Sequence, residues 1–220
     1  MYVKHDAHTN QVQFDRMIQF VKNALRRVRY GEPVYVVSGL PRSGTSMLMN
    51  MLAAGGLPVL SDAQREADDD NPRGYFEHER VKNLEGETDK SWLRESRGKA
   101  IKVISHLLRE LPNDNYYFVI FIRRDLREVV ASQNIMLERR GEDNPVADDK
   151  AINHYRSHLV DIRVLARLSP NLRLMEVNYA ETVENPCKVA LRINDFLNHS
   201  LDIDKMVGVI DGKLYRNRVT

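Results

Sequence analysis

Apolar positions recur along this chain with two alternating periods. Phe14, Met17, Val21, Leu25 and Val28 return every three or four residues, which predicts an amphipathic helix over residues 12–30. Gly31-Glu32-Pro33 ends it. The pattern then tightens into the β-branched run Val34 to Ser38, a buried parallel strand. It loosens into a helix from Thr45 to Ala54, closed by Gly55-Gly56. Residues 61–74 are polar and read as a loop. Three further apolar runs, Ala100 to Ile104, Tyr116 to Ile122 and Leu172 to Val177, predict three more buried strands. Helical periods separate them. Leu126 to Arg139 is one, and residues 147–168 carry Ile152, Tyr155, Leu159, Ile162 and Ala166 on one face. Val189, Ile193, Phe196 and Leu197 mark a last one. Strands alternating with helices build a parallel sheet covered on both sides, so the fold class is α/β.

The length of 220 residues suits one domain, spanning 1–220, with its first helix inside 1–31 and a basic, flexible tail expected at 210–220. Lysine and arginine number 33 against 31 acids, a net charge of +2, which argues against a polybasic surface for nucleic acid or membrane. The single cysteine, Cys187, can form no internal disulfide, and no Cys/His cluster has zinc spacing. The chain starts polar and holds no run of about 18 apolar residues. A cytoplasmic protein without a membrane span is expected.

Candidate chemistry begins where the first strand meets the first loop. Gly39-Leu-Pro-Arg-Ser-Gly44-Thr45-Ser46 keeps the glycine spacing, the terminal hydroxyl and the strand–loop–helix setting of a nucleotide-phosphate loop. The lysine that normally follows the second glycine is replaced by Thr45, and the cation sits earlier, at Arg42. Successive backbone N–H groups and a helix N-terminus form an anion nest whatever the lysine does. Arg42 adds a planar fork of charged donors, and Ser43, Thr45 and Ser46 add hydroxyls. The swap bears on which anion is gripped. A transferring γ-phosphoryl carries about two charges and recruits Mg²⁺. A sulfuryl group carries about one, which hydrogen-bond donors and one cation can serve.

Residues 118–133, FVIFIRRDLREVVASQ, run from a buried strand into a helix. An enzyme that holds Mg²⁺ needs an acid at such a strand end. Here Arg123 and Arg124 come first, and two guanidiniums repel Mg²⁺ and attract phosphate. Ser132 lies roughly 12 Å along the helix from Arg124, whose long side chain can reach along the helix toward a phosphate lying beside it.

Taken in order, these motifs resemble the sulfotransferase family, which uses 3′-phosphoadenosine-5′-phosphosulfate (PAPS) as donor. Leu40-Pro-Arg-Ser-Gly-Thr-Ser46 is similar to the family's loop for the 5′-phosphosulfate, and Arg124 with Ser132 to its pair for the 3′-phosphate. Asn178-Tyr-Ala-Glu-Thr-Val-Glu-Asn-Pro186 resembles another shared segment, which implies that Tyr179 lies near the nucleotide. The closing Leu214-Tyr-Arg-Asn-Arg218 resembles endings of bacterial members, which brings Arg216 and Arg218 in as nucleotide ligands. The family's larger members carry a glycine-containing basic loop there that this chain lacks. The resemblance implies a P-loop-like architecture, PAPS as co-substrate, no metal, and transfer of the sulfuryl group to a hydroxyl or amine.

Such transfer needs a base. Glu77, in Gly74-Tyr-Phe-Glu77-His78, is the first candidate, because bacterial members carry a similar stretch and neighbouring aromatics raise a carboxyl's basicity by desolvation. His106, just past the second strand, is the next, with Lys102 displaced from the family's spacing, and His78 the third. Asp68-Asp69-Asp70 reads as a solvated run, and His154 with His158 as a helix surface rather than a metal pair. The acceptor is left open among sugar, lipid, peptide and small molecule. A lysine-less P-loop kinase or NTPase, and a non-catalytic nucleotide-binding relative, are the competing readings.

Overall fold

A computed structural model of the protein describes residues 17–18, 21–62, 76–142 and 146–212. Arg216, Arg218, Tyr75 and Asp68 to Asp70 lie outside the described residues. The first helix, α1, is seen at 17–18 and 21–30. Four strands follow in the order the apolar runs predict: β1 Val34–Gly39, β2 Ala100–Lys102, β3 Tyr117–Arg123 and β4 Leu172–Asn178. They form one parallel sheet in the order β2-β1-β3-β4. Register is Val37 on Lys102 across β1 and β2, Val37 on Ile120 across β1 and β3, and Ile120 on Met175 across β3 and β4.

The unbroken apolar runs follow from cover on both faces. On one face Tyr35, Val37, Phe118, Ile120 and Ile122 pack with Leu48, Met49 and Leu52 of α2 (Thr45–Ala54). Val189, Ala190 and Ile193 of α7 (Pro186–Leu197) join them, and Met206 of α8 (Ile203–Gly208) closes that layer. On the other face Val34, Val36, Val119 and Phe121 pack with Val129 of α4 (Leu126–Arg139). Leu159 and Ile162 of α5 (Asp148–Leu168) complete this second layer. Between β1 and β2 lies the short α3, Glu79–Lys82, with 3₁₀ turns at Ser91–Ser96 and Ser105–Glu110; α6, Tyr179–Glu184, follows β4 directly.

Two expectations need adjustment. β2 is shorter than the apolar run Ala100 to Ile104, because Ile104 serves as the extended cap of the 3₁₀ turn that starts at Ser105. The apolar stripe of α1 faces outward, with Met17, Val21, Leu25 and Val28 between 50% and 88% exposed. The body side of α1 is taken by Tyr30, stacked 6.2 Å from Tyr116, and by Arg26, which donates 2.7 Å to the Tyr116 hydroxyl. At the outer strand, Glu176 of β4 accepts from Arg123 at 3.0 Å and from Arg163 of α5 at 2.7 Å.

The order 2-1-3-4 reverses direction between β1 and β3. Their carboxyl ends therefore border a crevice, the place where open α/β sheets bind ligands. The loop from Gly39 to Gly44 opens into it.

Candidate anion-binding active site

The loop is shaped by two glycines. A side chain on Gly39 would meet the Ser43 hydroxyl at 2.5 Å and the Ile122 carbonyl at 2.8 Å, so only glycine lets the chain turn this close to β3. Gly44 has φ 103°, a left-handed conformation, and a Cβ there would strike the Tyr179 ring at 2.5 Å. Between them Arg42 also adopts a left-handed φ of 65°. Non-glycine residues hold such a conformation only where their surroundings impose it, and they cluster at functional sites.

Gly44 caps α2 without a side-chain hydrogen bond. The first amide of that helix to meet a carbonyl is Leu48, on Gly44 at 3.3 Å. The amides ahead of it have no intrahelical acceptor and point toward the crevice end of the helix. Of the three expected hydroxyl donors, Ser43 commits its hydrogen to the Leu40 carbonyl at 2.7 Å, inside the loop. Thr45 is buried and Ser46 half-buried at the helix start.

The structure brings Arg42, Arg124 and Ser132 together. Ser132, buried on α4, accepts from Arg42 Nε at 3.1 Å. Arg124 turns its Nε to Glu128 one helical turn on, at 2.8 Å, and its Nη1 to the Arg42 carbonyl at 3.2 Å. Its guanidinium carbon lies 4.6 Å from the centre of the Tyr179 ring. Tyr179 stands at the start of α6, held there by Asn178, whose side chain accepts from the Glu181 amide at 3.0 Å. Gly44, Tyr179, Arg124, the Arg42 carbonyl and Ser132 thus form one continuous set of contacts. Glu128, which the sequence reading missed, braces it from below. Arg123, expected to share in anion attraction, is drawn off to Glu176.

The base candidates fall in three places. Glu77 is half-buried between two ammonium groups, Lys102 of β2 at 3.4 Å and Lys82 of α3 at 3.1 Å. On Lys82, partial burial pulls the pKa down, yet its bonds to Glu77 and Glu79 raise it above the ordinary lysine value. Lys102 is 7% exposed and pairs with Val37, two residues ahead of the loop, so Glu77 is fixed beside the strand that delivers Gly39. His106 is exposed on the 3₁₀ turn. His78 stacks on Trp92 at 5.2 Å. His158 does not lie on an open helix surface. It turns inward to the fully buried Ser105, with Nε2 2.9 Å from the hydroxyl, and burial lowers its pKa. Among the described residues, no three of His, Cys, Asp and Glu are placed to hold a metal ion. No described helix is long and apolar enough to cross a membrane.

No protein-family model matches the chain, and no curated protein does. Solved structures do. The sulfotransferase domain of the Synechococcus PCC 7002 olefin synthase is 21% identical, with TM-score 0.53 over 83% of this chain and 78% of that one. The sulfotransferase domain from the curacin biosynthetic pathway is 15% identical, with TM-score 0.51 over 83% and 79%. Retinol dehydratase in complex with retinol and PAP is 18% identical, with TM-score 0.50 over 86% and 69%. The likeness is one of fold, a four-stranded parallel sheet flanked by helices, and this chain has the fold of the sulfotransferases.

Proposed function

We propose that the protein is a sulfotransferase that takes the sulfuryl group of PAPS and transfers it to a hydroxyl or amine of an acceptor. The observation that carries this reading is the Arg42–Ser132 contact over a glycine nest, with Arg124 and Tyr179 packed behind it. Cations and amides are gathered at the loop, and the third strand leads into arginines rather than a metal-binding acid. That combination suits a singly charged group in transfer better than a γ-phosphoryl with its Mg²⁺. One likeness in fold, retinol dehydratase, is a complex with PAP, the nucleotide that PAPS becomes once its sulfuryl group has left.

In this reading the α2 amides and Arg42 hold the phosphosulfate, and Arg42 stabilises charge as it builds on the departing phosphate oxygen. Glu77 receives the acceptor's proton; as a carboxylate it is already in the form that can take one. Lys102 fixes its position. The nucleophile's oxygen or nitrogen forms the new bond to sulfur while the sulfur–oxygen bond to the phosphate breaks in line.

The test is a thermal-shift titration with adenosine 3′,5′-bisphosphate, with and without Mg²⁺. Binding that needs no metal is expected, and Arg42→Ala should weaken it about tenfold or more, the scale of one charge-assisted hydrogen bond. A response to Mg·ATP alone would replace this reading with the kinase or NTPase one. Glu77→Gln should leave nucleotide binding intact and lower turnover about 10²-fold or more; unchanged turnover would remove Glu77 from the chemistry.

A further inference from the structure

The near-neutral net charge of +2 conceals a local concentration. Between residues 17 and 30 the chain carries Lys22, Arg26, Arg27 and Arg29 and no acid. These residues share α1 with the outward apolar stripe. At about 100° per residue, Met17, Val21, Leu25 and Val28 fall within an arc of about 80°. Arg26 and Tyr30, which hold the helix to the body through Tyr116, lie about 160° from the centre of that arc. Lys22 and Arg29 border the stripe on one side, and Arg27, paired with Glu32, on the other.

The usual order of an amphipathic helix is thus inverted. Arg26 and Tyr30 carry the contact with the protein, and the apolar side, bordered by Lys22, Arg29 and Arg27, is offered to whatever lies outside. The four stripe residues are 55%, 50%, 65% and 88% exposed in chain order, so none is spent on the core. A contiguous apolar face of this kind marks an interaction site.

Charge decides between the occupants. A second copy of this helix would set its own cationic borders against like borders. A nucleic acid would satisfy the cations and leave the stripe in water. An anionic lipid surface satisfies both, taking the apolar side chains below the headgroups while lysine and arginine stay among them. We propose that α1 docks the protein on anionic membrane surfaces, lying in the plane of the interface with the crevice carried on the body behind it. This inference stands apart from the chemistry proposed for the loop.

Flotation of the full chain with vesicles tests it. Vesicles of phosphatidylcholine with about one third phosphatidylserine should carry the protein upward, and pure phosphatidylcholine vesicles should not. Raising salt should release it. The triple variant Val21→Ser, Leu25→Ser, Val28→Ser should lose vesicle binding by about tenfold or more, with an unchanged melting temperature, because these side chains support nothing inside the fold. Failure of the native chain to float with anionic vesicles overturns the proposal, as does equal flotation of the triple variant. A concentration-dependent dimer that the triple variant abolishes, in the absence of vesicle binding, would assign the face to a second copy instead.

Discussion

Glu128 illustrates what single residues contribute here. Its side chain is 4% exposed and pairs with an Arg124 side chain that is 8% exposed, so both charges are out of water. Removing one partner of such a pair leaves the other uncompensated, at a cost of about 3–5 kcal/mol. Glu128→Ala should therefore lower stability by about that amount in urea melts, and Glu128→Gln, which keeps an acceptor for Arg124 Nε, by clearly less. Equal losses for the two would mean that packing rather than charge is at stake. The pair was hidden in the sequence. An acid four residues after an arginine at a helix start reads as an exposed surface couple. What buries it is the rotation of α4 against β3, which the local pattern does not specify. The glycines were legible for the opposite reason: Gly39 and Gly44 are required by backbone geometry and close contact, and that requirement leaves its mark at fixed spacing. Arg124 and Ser132 were matched as a pair along one helix. What that match did not show is the contacts each makes inside the protein, Arg42 of the loop donating to Ser132 and Arg124 donating to Glu128.

Elements were legible in proportion to their length. α4 spans Leu126–Arg139, as its periodicity indicates, and Asp125 caps it by accepting from the Arg127 amide at 2.8 Å. Helix α6 is six residues long, too short to display a period, and was not read as a helix. Its start nevertheless places Tyr179 against Gly44 and Arg124. Loss of the Asn178 cap should be felt twice. Asn178→Ala is expected to cost about 0.5–2 kcal/mol in thermal or chemical denaturation. It should also weaken binding of adenosine 3′,5′-bisphosphate by loosening the ring that backs the loop. A destabilised variant with unaltered nucleotide affinity would show that Tyr179 keeps its place without the cap. The strands were read well because burial on both faces leaves no ambiguity of side, whereas the end of β2 was not, since Val103 is still buried in the core beyond the strand's last residue and Ile104 caps the turn that follows.

Strand order is a property of the whole molecule that apolar runs do not encode, and the crevice between β1 and β3 follows from it. So does the pH response. His158, on α5, is buried against Ser105 of the turn after β2, and His199 approaches the Tyr35 hydroxyl of β1 at 2.7 Å. Burial lowers the pKa of both below the ordinary histidine value. The unfolded chain therefore binds more protons than the folded one as pH falls through about 6.5 and below, and stability must decline in that window. Melting temperatures should drop between pH 7.5 and pH 5.5, and the double variant His158→Gln, His199→Gln should show a flatter dependence. An unaltered slope would place the titration on other groups. Beyond these, the sheet's outermost described strand has a further consequence. β4 carries Arg173, which lies over Phe118 and Phe196, and the doubly paired Glu176. A foreign strand seeking to extend the ladder would have to dehydrate this ionic guard, so β4 resists edge-to-edge aggregation even though its backbone lies at the rim.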